Sequence, residues 1–329
     1  MFECGKNRIN GEKWHKGAAR QTSDFMKNKK HLIVVGGPTA AGKTKLAIEL
    51  AQHFGTAILS ADSRQFYREM TIGTAKPSEG ELAQAPHHFI NSLSVAQDYT
   101  VGDFEKDALA VLEQLFEKKD LAILVGGSGL FIRALCEGLD AFPDVPEAIK
   151  NELEDLYNSQ GINALQAELA NSDPAYFAKV DTHNPQRLLR ALSVIRASGL
   201  PFSSFQQQEK AKRPFEPIYI LLEMERRELY DRINKRVDWM VENGLVEEAR
   251  SLFPQKHLNA LQTVGYQELF EHFEGKTSLA QAVDLIKQNS RRYAKRQMTW
   301  FRKYGGWDSF PPDSTQEIIA WVEEKTRAA

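Results

Sequence analysis

The sequence predicts an α/β fold: a P-loop NTPase-like parallel sheet flanked by helices, with an all-helical insertion. Three observations carry this. The β-rich run HLIVVGG feeds GGPTAAGKT (residues 36–44), which fits G-x-x-x-x-G-K-[ST]. Strand-like and helix-like patterns then alternate, as parallel β-α-β units require. From Leu139 to Pro201 the strand patterns vanish and only helical periodicity remains.

Each element follows from its pattern. HLIVV is a short apolar strand entering the glycine loop, and KTKLAIELAQHFG behind it places Leu46, Ala47, Leu50, Ala51 and Phe54 on one helical face. TAILSAD reads as a second buried strand ending at Asp62. DYTVGDFEKDALAVLEQLFEKKD repeats apolar residues at Phe104, Ala108, Val111, Leu112 and Leu115, so a helix precedes a third buried strand, LAILV. PEAIKNELEDLYNSQG, NALQAELANSD and NPQRLLRALSVIRASG read as helices of the insertion, two of them closing on glycine. EPIYILLEM resumes the sheet, and three or more helices follow to about Tyr304. The expected division is a disordered extension over 1–30, a core over 31–138, the insertion over 139–201, the rest of the core with basic helices over 202–310, and a peripheral tail over 311–329.

Composition narrows the classes. With 329 residues and 42% apolar content the chain can bury a large core, and no run approaches the eighteen apolar residues of a membrane span. The net charge of −2 leaves nucleic-acid affinity to local clusters. Cys4 and Cys136 are far apart and form no C-x-x-C, which argues against a disulfide framework or cysteine zinc site and for a reducing cytoplasm. The eight histidines form no H-x-x-x-H pair, and His87 and His88 should point apart in a strand. The first thirty residues hold eight Lys/Arg against three acids and no apolar signal core, and Met26 makes a natural start.

The loop Gly37, Pro38, Thr39, Ala40, Ala41, Gly42, Lys43 and Thr44 cradles phosphate with backbone N–H groups; Lys43 supplies a cation and Thr44 a ligand for Mg²⁺. Hydrolysis of ATP would also need an acid at a strand end. LAILV ends instead in Gly126-Gly127-Ser128-Gly129. Ligands in parallel sheets bind beyond the carboxyl ends of strands, which places Asp62 near the cradle as a general base, a Mg²⁺ ligand or a turn cap. Ser128 either faces the same cleft or satisfies its own loop. Arg226, just past a strand, and Lys76 are further candidate phosphate cations. Residues 288–304, QNSRRYAKRQMTWFRKY, carry six Lys/Arg, no acid and four aromatics. On a helix Arg292, Lys295, Arg296, Thr299 and Lys303 share one face, a track for a polyanion, and Gln186, Arg187 and Arg190 form a second basic element.

The strings GPTAAGKT, SADSRQFY, IGTAKP, GGSGLF, NPQRLLRAL, LYDRINKRVDWMVENGL, TVGYQE and RRYAKRQMTWFR stand in this order. On them the chain resembles the tRNA dimethylallyltransferase (tRNA isopentenyltransferase) family from residue 31 to about 304. The resemblance implies that dimethylallyl diphosphate sits in the P-loop with Mg²⁺, that the N6 amine of adenosine 37 in the anticodon stem-loop of tRNA accepts the dimethylallyl group, and that diphosphate leaves. It implies Asp62 as general base, with Ser128 where the family usually has threonine, Arg226 as a diphosphate ligand and Lys76 near the reacting centre. It further implies tRNA contacts from Asp62, Ser63, Arg64, Gln65 and Ser128; from Gln186, Arg187, Leu188, Leu189 and Arg190; from Gly265, Tyr266 and Gln267; and from Arg292, Lys295, Arg296, Gln297, Thr299, Trp300 and Arg302. Lys150 is implied as a further tRNA contact, standing where arginine is more usual, and an ammonium does not reproduce a bidentate fork. Phe131 replaces a common tyrosine. A monomeric cytoplasmic enzyme is expected. The rival readings are a P-loop small-molecule kinase, whose aspartate would activate a hydroxyl, and a non-catalytic RNA-binding protein.

Overall fold

The computed structural model describes residues 29–206 and 210–327. The expected extension lies outside the described residues except for its last two, and so does Cys4. In chain order the first part holds β1 (His31–Gly36), α1 (Lys43–Phe54), β2 (Ile58–Ser60), α2 (Glu79–Leu82), β3 (His87–His88), α3 (Val101–Phe116), β4 (Leu121–Val125) and α4 (Gly129–Glu137). Four helices follow: α5 (Glu147–Gln160), α6 (Ile162–Ser172), α7 (Pro174–Phe177) and α8 (Pro185–Ser198). The chain then re-enters the sheet at β5 (Glu216–Leu222) and continues through α9 (Arg226–Glu242), α10 (Leu245–Leu252), α11 (Tyr266–Phe273), α12 (Leu279–Lys303), β6 (Asp308–Phe310) and α13 (Thr315–Arg327).

The strands form one sheet in the order β3-β2-β4-β1-β5-β6, with every pairing parallel. β1 is central and covered on both faces, which is why it reads as an unbroken apolar run. Leu32 and Val34 join Phe104, Leu112 and Leu135 in one core, while Ile33 and Val35 join Leu46, Leu50 and Ile318 in the other. The helices start and stop where chemistry allows. Asn184 caps α8 by accepting the Arg187 N–H with Pro185 in the first turn, and glycines at positive φ, Gly55 and Gly199, end α1 and α8.

Two strands were not legible in the sequence. β3 is two residues long and β6 three, and neither lies in an apolar run like TAILSAD, which marks the equally short β2. His87 and His88 do face apart, His87 toward the cavity described below and His88 toward a groove across the sheet edge. The tail is also not peripheral: α13 buries Ile318, Ile319 and Val322 against α1 in the second core. The helical insertion carries a core of its own, around Leu153, Leu165, Leu169, Leu188 and Leu192, and this core takes in Phe202 and Phe205, beyond the expected boundary at 201.

α12 is the longest helix, with 25 residues and a length of about 37 Å. Its N-terminal half packs Ala282 and Ile286 with α10 and α11, and its C-terminal half delivers Phe301 to the sheet core. It therefore crosses between the helical layer and the sheet. No described helix is long and apolar enough to cross a membrane.

Candidate active site

The cradle is the turn between β1 and α1. Gly37 adopts φ 148° and Gly42 φ 91°, where a side chain would be strained, and at Gly37 a Cβ would also stand 3.0 Å from the Leu222 carbonyl oxygen. Ala40 holds φ 66° without that excuse, a strain of about 1 kcal/mol or more of the kind found at ligand clamps. Two residues distant in sequence keep the loop in this shape. Gln297 of α12, buried, accepts the Thr39 N–H at 2.9 Å and donates its amide to the Gly127 carbonyl at 3.0 Å. Arg236 of α9 donates to the Thr39 hydroxyl. The Lys43 ammonium donates to the Pro38 carbonyl at 2.7 Å.

Thr39 to Thr44 line a cavity of about 380 Å³ with Asp62, Gln65, Thr74, Ala75, His87, Gly126, Arg232 and Arg236. A second cavity of about 100 Å³ adjoins it, lined by Arg64, Val237, Met240, Leu245, Val264, Ile286 and Tyr293. Both are bounded by Thr39, Asp62, Thr74 and Arg236. Asp62 thus stands at the junction between a chamber bordered by Lys43, Arg232 and Arg236 and a smaller one of mixed lining, where Thr263 and Ser290 join the apolar side chains. Its Oδ1 accepts the Arg64 N–H at 3.1 Å, so the turn-cap reading holds as well, and the carboxylate borders both spaces.

Charge in the larger chamber is unbalanced. Burial pushes the Lys43 ammonium down to about 8, with Asp62 pulling upward and Arg236 adding to the fall. Burial likewise lowers Arg236, opposed by Asp62. The Arg236 Nε is buried without a hydrogen-bond partner, and neither Lys43 nor Arg236 forms an ion pair among the described residues, whereas Arg232 is paired with Glu228 at 2.8 Å. Cations held this way favour an anionic ligand that supplies the missing charge. The Tyr293 hydroxyl is pushed up to about 12, by burial first and then by the negative charge of Asp62. It therefore stays protonated beside the carboxylate.

Several expected site residues fall elsewhere. Arg226 is exposed at the start of α9, stacked 5.1 Å over the Tyr230 ring, and borders a different surface hollow. The cations that reach the cradle are Arg232 and Arg236, one helical turn apart on the same helix. Lys76 does not line the chamber; its ammonium binds the Asn91 side chain at 2.6 Å and the Tyr67 and Arg68 carbonyls, which pins its own loop. Ser128 borders neither cavity: its hydroxyl accepts the Ser63 N–H and donates to the Ser63 hydroxyl, both at 3.2 Å. Gln65 lines the chamber, but its amide holds the Thr74 and Ala75 carbonyls at 3.2 Å.

Among the residues expected to touch RNA, Leu188 and Tyr266 are fully buried and Gln297 is engaged in the cradle, so none of these side chains offers a surface. Apolar periodicity places Leu188 in the insertion's core, with Leu189 half-buried beside it. Trp300 is half-buried and covers Gly129, where a Cβ would come within 2.3 Å of its ring. Gly265 caps α11 and lines the smaller cavity, and Gln267 is exposed and bonded to Gln262. Lys150 is exposed and paired with Glu147 at 2.8 Å. Arg292, Lys295, Arg296, Thr299 and Arg302 are exposed along α12, as are Gln186, Arg187 and Arg190 on α8. Arg302 leans on Glu223 at 3.1 Å.

The residues that sequence reasoning missed are Arg232, Arg236, Thr74 and Tyr293. A signal for the arginines was present: in LYDRINKRVDW they recur four residues apart beside the apolar stripe Leu229, Ile233, Val237.

A family model described as IPP transferase matches residues 65–304. A tRNA dimethylallyltransferase of Christiangramia forsetii is 54% identical over 297 residues, covering 90% of this chain and 98% of the relative. One from Flavobacterium johnsoniae is 48% identical over 308 residues, covering 91% and 99%. The crystal structure of a full-length tRNA isopentenylpyrophosphate transferase from Bacillus halodurans superposes with a TM-score of 0.69 at 36% identity, over 91% of this chain and 98% of that one. The chain belongs to the IPP transferase family.

Proposed function

We propose that the protein transfers the dimethylallyl group of dimethylallyl diphosphate to the N6 amine of adenosine 37 in tRNA, releasing diphosphate. The observation that carries this reading is the junction at Asp62, with the cradle and the buried Lys43 and Arg236 on one side and, on the other, a smaller cavity walled in part by Val237, Met240, Leu245, Val264 and Ile286. The diphosphate lies along Thr39–Thr44, against Lys43, Arg232 and Arg236. As the bond from allylic carbon to oxygen breaks, negative charge grows on the departing oxygens, and these fixed cations and loop N–H groups stabilise it. The amine nitrogen forms the new bond to carbon, and its proton passes to Asp62. Alignment across the junction makes the step effectively intramolecular.

The donor set fits Mg²⁺ held mainly through ligand oxygens and water: the hydroxyls of Thr39, Thr44, Ser60 and Thr74 and the carboxylates of Asp62 and Glu81 border the chamber, and no cluster of three acidic, histidine or cysteine ligands occurs among the described residues. When bound, the ion would further neutralise the departing diphosphate. The exposed basic residues of α12 and α8 supply phosphate contacts to an anticodon stem-loop, and extrusion of the target base costs about a few kcal/mol. The enzyme works as a monomer in the cytoplasm.

The test is direct. Labelled dimethylallyl diphosphate and unmodified tRNA are incubated with the protein, and label should join the RNA. Asp62→Asn should abolish the transfer while inorganic diphosphate still binds. Consumption of ATP with a metabolite, and no label in RNA, would replace this reading with the kinase one.

A further inference from the structure

A loop rather than a helix closes the junction, and one side chain outside both cavities holds it. Thr74 borders both cavities, Gly73 the smaller one, and Ala75 and Pro77 the larger. Across from them stands α10, whose Glu248 reaches over the start of the loop. Its Oε2 accepts the N–H groups of Thr71 at 2.9 Å and Ile72 at 2.8 Å; its Oε1 accepts the Gly73 N–H at 2.9 Å and the Tyr266 hydroxyl at 2.7 Å. Three consecutive backbone donors converging on one carboxylate make an anion nest, filled here by the protein's own side chain.

The clasp is tight on every side. Tyr266, fully buried, presses its ring so closely on the loop that a Cβ at Gly73 would come within 2.7 Å of it. Leu245, one turn before Glu248, lines the smaller cavity, so the same helix shapes the wall and grips the loop. From the opposite side Gln65 holds the carbonyls of Thr74 and Ala75, and Ala75 sits at φ 49°, a conformation that persists only under such restraint.

We infer that Glu248 is a positioning residue for the transfer: by fixing residues 71–75 it sets the width of the junction through which the accepting amine meets the donor carbon. This rests on the proposed prenyl transfer. Glu248 touches neither the cradle nor its cations, so its removal should leave donor-diphosphate binding intact and misplace only the reacting groups. A displacement of about 1 Å at such a point costs on the order of a hundredfold in rate.

Glu248→Gln keeps the shape but sets an amide N–H₂ group against donors that now lack an acceptor. Gly73→Ala displaces the same loop from the Tyr266 side with the carboxylate left in place. For both variants kcat, KM for dimethylallyl diphosphate and the Kd of inorganic diphosphate are measured beside the wild type. The expected result is a kcat lowered about ten- to a hundredfold with KM and Kd changed less than about twofold. Undiminished kcat in Glu248→Gln, or a parallel loss of diphosphate affinity, would overturn this role while wild-type transfer still stood. Failure of the wild type to prenylate tRNA would overturn the proposed reaction, and this role with it.

Discussion

Arg236 offers a test in which stability and binding should move in opposite directions. Its guanidinium is buried beside the cradle, donates to the Thr39 hydroxyl, leaves its Nε without a partner, and has only Asp62 as nearby opposite charge. An unpaired buried charge costs several kcal/mol, which one hydrogen bond and one shared carboxylate offset in part. Arg236→Met keeps the stem's bulk and removes the charge. The ligand-free protein should gain about 1 kcal/mol, raising Tm by a few degrees in a chain of this size. Each charge-assisted hydrogen bond lost to a bound diphosphate costs about 1.5–3 kcal/mol, so Kd for inorganic diphosphate should rise about ten- to a hundredfold. Calorimetric titration reads the affinity, and thermal melts with and without diphosphate read the stability. A variant that melts lower yet binds diphosphate as tightly as the wild type would refute the argument, because it would make Arg236 a structural cation rather than one kept in reserve for an anion.

Lys43 should give the ligand-free protein a pH dependence. Burial lowers its folded value from 10.5 to about 8, so between those values the unfolded chain binds more protons and stability rises as pH rises through that window. Lys43→Met should abolish the rise; urea melts from pH 7 to 10 check this, and an identical rise in the variant would contradict it. Replacing Arg292 and Arg296 by alanine removes two exposed cations from α12. Binding of tRNA should weaken and the slope of log K against log salt should fall by about 1.5; an unchanged slope would exclude this face as an RNA track. Gln297→Leu orphans the Thr39 N–H and the Gly127 carbonyl, at about 1–3 kcal/mol each. Tm should drop by several degrees and diphosphate affinity should weaken, and a variant matching the wild type in both would show that the cradle holds its shape unaided.

Some features of this protein are written in short stretches of its chain. The apolar run of β1, the glycines at 37 and 42 and the amphipathic α1 specify strand, cradle and helix by local sterics and periodicity alone. The same holds for the caps of α8 and for Asp62 at the end of β2. Other features exist only because distant segments pack together. Arg236, Gln297 and Tyr266 look alike in sequence, polar residues on helices rich in charge. Tertiary structure sends the first to the cradle, the second between two glycine turns and the third into the core. Lys76 and Arg226 lie near the right strings and point away from the chamber. β3, β6 and the docking of α13 were invisible for a related reason: their stability comes from neighbours already in place, not from any pattern of their own. Local sequence determines which backbone can hold a phosphate, whereas the crossing of α9 and α12 over the sheet decides which side chains surround it, because burial and contact across a hundred or more residues have no period to read.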